Sequence, residues 1–137
     1  MSCLFCQIAK HEIPAKIVYE DEDLCSFWDI KPQAPVHILI VPKKHISSVT
    51  HLEEKDTFLL GKMILTASKI AESESISKSG YRLIFNSGPN SGQIIDHLHL
   101  HLIGGRKLSQ FFFKNLLDHR RKRRTCNFFK GVSGCFN

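Results

Sequence analysis

Short stretches of this chain alternate between apolar and polar residues, and one longer stretch follows a helical period. Ile17–Glu20 and Leu24–Asp29 read as two strands. The acidic run Glu20-Asp21-Glu22-Asp23 between them predicts a hairpin turn. His37–Val41 is an apolar strand ended by Pro42, and Tyr81–Asn86 is another strand. The sharpest alternation comes last, with His97, His99 and His101 interleaved with Leu98, Leu100 and Leu102. A period of two is the strand period. It predicts three imidazoles on one face, roughly 6.5–7 Å apart, and three leucines on the other. That spacing suits one extended substrate better than three ligands closing on a single metal ion. Gly104-Gly105 ends the strand.

The helical period begins after Thr50-His51-Leu52-Glu53. This has the form of a capping box, worth roughly 1 kcal/mol. A helix is expected from there to about Glu72. Leu59, Met63 and Ile70 share one side with Leu52 and Ala67 nearby, and Leu60, Ile64 and Ala71 widen the stripe. So broad an arc predicts a second burial surface besides the sheet. Phe5–Lys10 is a short helix that Pro14 cannot continue. The predicted fold is α+β: an antiparallel sheet of about five strands with one long and one short helix.

Length and composition change this picture little. At 137 residues the chain is one domain. No apolar run approaches the roughly 20 residues of a membrane span, and no secretory signal is expected. Five cysteines, an odd number, argue against a disulfide framework and for a reducing, cytoplasmic setting. The net charge of +6 does change the picture once it is divided. Residues 1–105 hold 10 basic and 12 acidic side chains, giving −2, and residues 106–137 hold 9 and 1, giving +8. The basic character belongs to the tail, so no nucleic-acid groove is expected on the core domain.

Several residues carry candidate chemistry. Cys3 and Cys6 are spaced as two thiolate ligands of a zinc site, which is half a site. His45 and His97 are the candidates for the other half. Asp29, at a strand end, can cap a turn. Phe27 and Ile30 flank it and could sandwich a purine. The glycine-rich loop 87–92 could turn backbone N–H groups toward a phosphate. Neutral imidazoles are good nucleophiles toward phosphorus, which fits the row of three.

The segment His97-Leu98-His99-Leu100-His101-Leu102-Ile103 resembles the defining motif of the histidine triad (HIT) superfamily. Glu12–Ile17, Asp29–Pro35 and Ile40–Ile46 resemble signatures of its Hint branch, as do Gly80-Tyr81-Arg82, Asn86 and Gly92-Gln93. The resemblance spans residues 3 to 106 and sets the limits of a HIT domain, 1–106. It implies hydrolysis of a purine nucleoside phosphoramidate. His99 would attack the α-phosphorus and form a nucleotidyl-histidine, which water then releases. His101 and a fourth histidine, His37, would manage protons, and His97 would orient the site or bind zinc. Asp29 would hold the ribose. Leu4, Phe5, Phe27 and Ile30 would line the base pocket, with Asn86, Gly92, Gln93 and position 94 at the phosphate. A structural zinc on Cys3, Cys6, His45 and His97 would be the one metal, and catalysis would need no cofactor. Two copies would form a homodimer with a continuous, roughly ten-stranded sheet, pairing through the long helix. The alternatives are a dinucleoside polyphosphate hydrolase or nucleotidyl transferase, a low-turnover nucleotide-binding regulatory module, and a metal-binding protein using the triad as ligands.

Two departures from the pattern stand out. Ile94 occupies a position where the family usually has a hydroxyl residue, so one hydrogen bond to the phosphate or leaving group is missing. Residues 107–137 resemble nothing in the family. They carry Phe111-Phe112-Phe113 and the basic run Arg120–Arg124, which would allow a nuclear location.

Overall fold

The computed structural model describes residues 3–110, and the compact unit that carries the sheet ends at Lys107. The expected roles of Phe111–Phe113 and Arg120–Arg124 lie outside the described residues. In chain order the elements are α1 (Leu4–Ala9), β1 (Ile17–Glu20), β2 (Leu24–Trp28), β3 (Val36–Pro42), α2 (Thr57–Ser73), β4 (Tyr81–Phe85) and β5 (Leu100–Gly104). Single 3-10 turns occur at Val49–His51, Glu54–Asp56 and Pro89–Ser91. The five strands form one sheet in the order β1-β2-β3-β5-β4, with every neighbouring pair antiparallel. The α+β architecture expected from the alternation is therefore the one observed.

Strand alternation divides the interior in two. Leu24, Ile38, Ile40, Leu100 and Leu102 point to one side and pack with Met63, Ala67, Ile70 and Ala71 of α2. Cys25, Phe27, Leu39 and Val41 point to the other, where Phe5, Ile8 and Ala9 of α1 cover them. Lys62 fixes α2 to the hairpin turn through Asp21 (2.9 Å) and Asp23 (2.8 Å). Of the broad apolar arc of α2, Ile64 remains exposed, and Phe58 and Leu65, outside that arc, are exposed as well. Among the described residues, no helix is long and apolar enough to cross a membrane.

Two boundaries differ by more than one residue from those the sequence suggested. Thr50 does not cap the long helix; it lies in a 3-10 turn, its hydroxyl 3.1 Å from that of Ser87. The capping box is Glu53 with Asp56, one turn later, where the Asp56 carboxylate accepts the Glu53 N–H at 3.0 Å and α2 begins at Thr57. The second difference is that β5 begins at Leu100, so His97 and His99 precede the strand. The β3–β5 register runs from Val36↔Gly104 to Ile40↔Leu100, and continuing it would place Pro42 opposite Leu98. Proline has no N–H to donate, so the ladder cannot extend there. Leu98 donates its N–H instead to Ile46 O, at 2.6 Å. Side-chain alternation nevertheless persists, and Leu98 is buried with the α2-facing core. At the far end Gly104 is closely packed: a Cβ there would lie 2.8 Å from Ile76 Cδ1 and 3.3 Å from Gly80 O.

Candidate functional site

All four histidines of interest, His37, His97, His99 and His101, lie on the α1 side of the sheet. Register explains two of them. Leu39 sits opposite His101 and faces α1, and His37 is two residues from Leu39 on the same face. His37 Nε2 lies 2.9 Å from His101 Nδ1. The loop before β3 supplies a further bond, with Gln33 N–H donating to His37 Nδ1 at 3.0 Å.

These contacts assign the tautomers. His37 Nδ1 accepts from a backbone N–H, so its proton is on Nε2, which donates to His101 Nδ1. The His101 proton is then on Nε2, a buried nitrogen with no hydrogen-bond partner among the described residues. His99 is fixed independently. Its Nδ1 is 2.6 Å from the carbonyl of His97, which can only accept, so Nδ1 carries the proton and Nε2 keeps a lone pair. The rings of His99 and His101 are 4.9 Å apart. The site thus presents one lone pair beside one unsatisfied donor. Burial pushes the His101 imidazolium pKa down to about 4, with His99 and His37 adding to the shift, and burial lowers that of His37 as well. Both rings are neutral at pH 7.

Asp29 stands at the edge of this group. Its Oδ2 is 3.5 Å from His37 Nε2, and its Oδ1 accepts the Lys31 N–H at 2.8 Å. Turn capping and a place beside the histidines therefore coexist. The residues expected to line a base pocket divide. Ile30 is 92% exposed and Leu4 is also exposed, so both offer surface to a ligand. Phe5 and Phe27 are buried and pack on each other edge to face at 5.5 Å. Asn86 is half-buried just after β4, and Ile94 is 89% exposed. Gln93 is committed elsewhere. Its Nε2 donates to Ser47 O and Ile95 O, and its Oε1 accepts the Gly88 N–H. Its side chain shapes the loop, and only its main chain remains for a phosphate. Gly92, with φ of 89°, allows the turn that brings Gln93 back under Gly88.

A second cluster lies behind the first. Cys3, Cys6, His45 and His97 place one donor atom each within 4.8 Å of all the others. His97 Nδ1 is 3.3 Å from Cys3 Sγ, 3.4 Å from Cys6 Sγ and 3.2 Å from His45 Nδ1, and Cys6 Sγ is 3.4 Å from His45 Nδ1. The other nitrogen of His97 donates to Pro42 O at 2.8 Å, so Nδ1 is a lone pair facing three donors. One lone pair cannot be satisfied by all three through hydrogens. A divalent cation at the centre satisfies every donor, since tetrahedral zinc with ordinary bond lengths has edges of roughly 3.3–3.8 Å. The Pro42 carbonyl is the outer partner that a metal-bound histidine requires. The four residues fit a metal.

Sequence reading missed the roles of Gln33 N–H, the Pro42 and His97 carbonyls, and Arg106, which donates to Gln33 O at 2.8 Å. Main-chain partners leave no trace in residue type, and only the register reveals them.

Comparison with known proteins agrees with this geometry. Residues 10–108 match the HIT domain family. The purine nucleoside phosphoramidase of Escherichia coli K12 is 48% identical over 105 residues, 77% of this chain and 88% of that protein. An uncharacterised HIT-like protein of Buchnera aphidicola is 45% identical over 108 residues, 79% of this chain and 95% of that one. The solved structure of a HIT family hydrolase from Legionella pneumophila superposes with a TM-score of 0.78 at 48% identity, covering 79% of this chain and 96% of that one. A histidine triad protein from Clostridium difficile gives 0.79 at 40% identity, with 81% and 96% covered. With its histidines on one face of this sheet and that much sequence shared, the chain belongs to the HIT family, in its Hint-like branch.

Proposed function

We propose that this protein hydrolyses purine nucleoside phosphoramidates through a nucleotidyl group carried on His99. The observation that carries the reading is the pairing of tautomers. His99 Nδ1–H is held by the His97 carbonyl, which leaves Nε2 as a nucleophile, and His101 Nε2–H stands beside it as an unpaired donor. In the first step His99 Nε2 forms a bond to the α-phosphorus and the P–N bond to the amine breaks. The amine leaves with a proton, for which the His101 Nε2–H is placed. While deprotonated, His101 keeps the hydrogen bond that His37 Nε2–H donates to its Nδ1. In the second step water attacks phosphorus and gives a proton back to His101 Nε2, the P–N bond to His99 breaks and the nucleoside monophosphate is released. Dividing one substitution into two lowers each barrier. The name of the E. coli relative supports this substrate class.

Asp29 accepts from the ribose hydroxyls, and Leu4 and Ile30 contact the base. Gly92 and the main chain of Gln93 meet the phosphate, with Asn86 nearby. A zinc ion held by Cys3, Cys6, His45 and His97 ties the N-terminus to the sheet and takes no part in the chemistry. The exposed Phe58 and Leu65 on α2 and the open β4 edge suit pairing of two copies. Residues 1–106 are the HIT domain, and 107–137 are an appended segment.

Brief mixing with adenosine phosphoramidate followed by acid quench should place a nucleotidyl group on His99 by mass spectrometry. A label on another residue, or turnover without any adduct in the His99→Ala protein, would overturn the assignment.

A further inference from the structure

We propose that α1 is a positioning element for the nucleophile, and that Phe5 and His97 transmit to His99 the order imposed by the four-donor cluster. The inference rests on the reading of His99 as nucleophile and of the cluster as a metal site.

The argument begins with the weakness of α1. It has six residues, no side-chain cap, no acidic residue in its first turn and no basic residue in its last. A helix so short does not stand alone in water. Its N-cap Cys3 and first-turn residue Cys6 are both donors of the cluster, so what binds the thiols also fixes the helix. Phe5 lies between them in sequence. Its ring meets the ring of His99 at 5.1 Å and 80°, that of His97 at 6.0 Å and that of Phe27 at 5.5 Å. Phe5 is therefore a wall against which the nucleophile rests.

His97 provides the second connection. Its ring nitrogen Nδ1 faces the sulfurs, and its main-chain carbonyl holds His99 Nδ1. One residue both supplies a metal ligand and fixes the tautomer of the attacking ring. The bond from His99 Nδ1 leaves the ring free to swing about its own axis, and contact with the Phe5 ring limits that swing. Aim matters at this scale, because a misplacement of about 1 Å can cost on the order of 10²-fold in rate. Neither Phe5 nor the cluster touches the reacting atoms, so both act through His99.

The test uses the full chain, with histidine rings labelled by ¹⁵N. Three samples are compared with the wild type: protein stripped by a chelator, Cys6→Ser, and Phe5→Leu. The wild type and Phe5→Leu should each hold about one zinc per chain, and Cys6→Ser much less. All three altered samples should lose about 10–100-fold in kcat, with KM within about twofold of wild type. The His99 signals should change from a single Nδ1–H tautomer to an exchanging mixture, and those of His37 should stay as they are. A merely structural role would lower the melting temperature without moving the His99 signals, and that result would overturn the proposal. So would unchanged kcat in both Phe5→Leu and the stripped protein. If the wild type takes up no zinc, the metal half fails, and unchanged His99 signals in Phe5→Leu would sink the other half. If the wild type turns over no phosphoramidate, a change of tautomer on stripping still supports the inference while the functional reading fails.

Discussion

The two faces of the sheet are built by different means. The α2 face is aliphatic, with Leu24, Ile38, Ile40, Leu98, Leu100, Leu102 and Met63 each at 1% exposure or less. Burial there follows from transfer out of water and needs no directional bonds. The α1 face buries His37, His97 and His99 together with two half-buried thiols. Polar groups removed from water must find partners. Both ring nitrogens of His37 and His97 have one, as does His99 Nδ1, whereas His101 Nε2 has none among the described residues. The larger apolar cluster thus lies on one side, and the chemistry lies on the other beside a smaller apolar cluster that includes Phe27, Leu39 and Val41, with a single sheet thickness between them. Residues two apart on one strand, such as Leu100 and Leu102, belong to the first, and His101 between them belongs to the second.

That separation can be broken by experiment. The largest effect should come from His99→Asn, which removes the proposed nucleophile and should lower kcat by about 10³-fold or more while urea unfolding changes little by comparison. Near-normal turnover would contradict the division. Leu100→Ala should do the reverse. It empties a fully buried site and should cost about 2–5 kcal/mol of stability by denaturant titration, with kcat in the surviving folded protein reduced much less. Next is Asp29→Asn, which should weaken ribonucleotide binding by roughly 1.5–3 kcal/mol in calorimetry, and much less for a 2′,3′-dideoxy ligand. Equal losses with both ligands would reject a ribose contact. The smallest effect is the response to acid. Burial lowers the His101 pKa to about 4, against roughly 6.5 in an unfolded chain. The unfolded state therefore takes up a proton that the folded state resists. This contribution is complete above about pH 6.5 and is lost as pH falls toward about 4. The urea midpoint should drop between about pH 7 and pH 5, and His101→Phe should flatten that slope.

The aliphatic face was legible in the sequence because alternation reports burial directly. β1 through β4 and the long helix follow from Ile17, Leu24, Ile38, Leu83 and the Met63–Ile70 spacing. The start of β5 was not legible, because the alternation of His97 to Leu102 continues through a segment that has no ladder partner. The reason lies in Pro42, on another strand, and only pairing connects the two. The helix cap was misplaced for a related reason. Thr50 with Glu53 and Glu53 with Asp56 are both acceptable boxes, and tertiary contacts choose the second. On the polar face the residue types were legible and their assignments were not. Gln93 reads as a phosphate ligand, yet three bonds commit its amide to the loop. Phe5 and Phe27 read as pocket lining, and their depth of burial is not visible in residue type.

Pro42 has a consequence for how this site could be altered. Because the β3–β5 ladder stops short of it, the segment from Gly92 to His99 joins the protein through side chains and a few single backbone bonds. Attachments of that kind can be exchanged one at a time. A paired strand cannot be lengthened or shortened by one residue without turning every later side chain to the opposite face. An insertion between Gly92 and Ile95, by contrast, would leave the Leu100–Gly104 register intact. The segment is a natural cassette: loops of different length and chemistry could be grafted ahead of His97, with the sheet beneath serving as a fixed chassis.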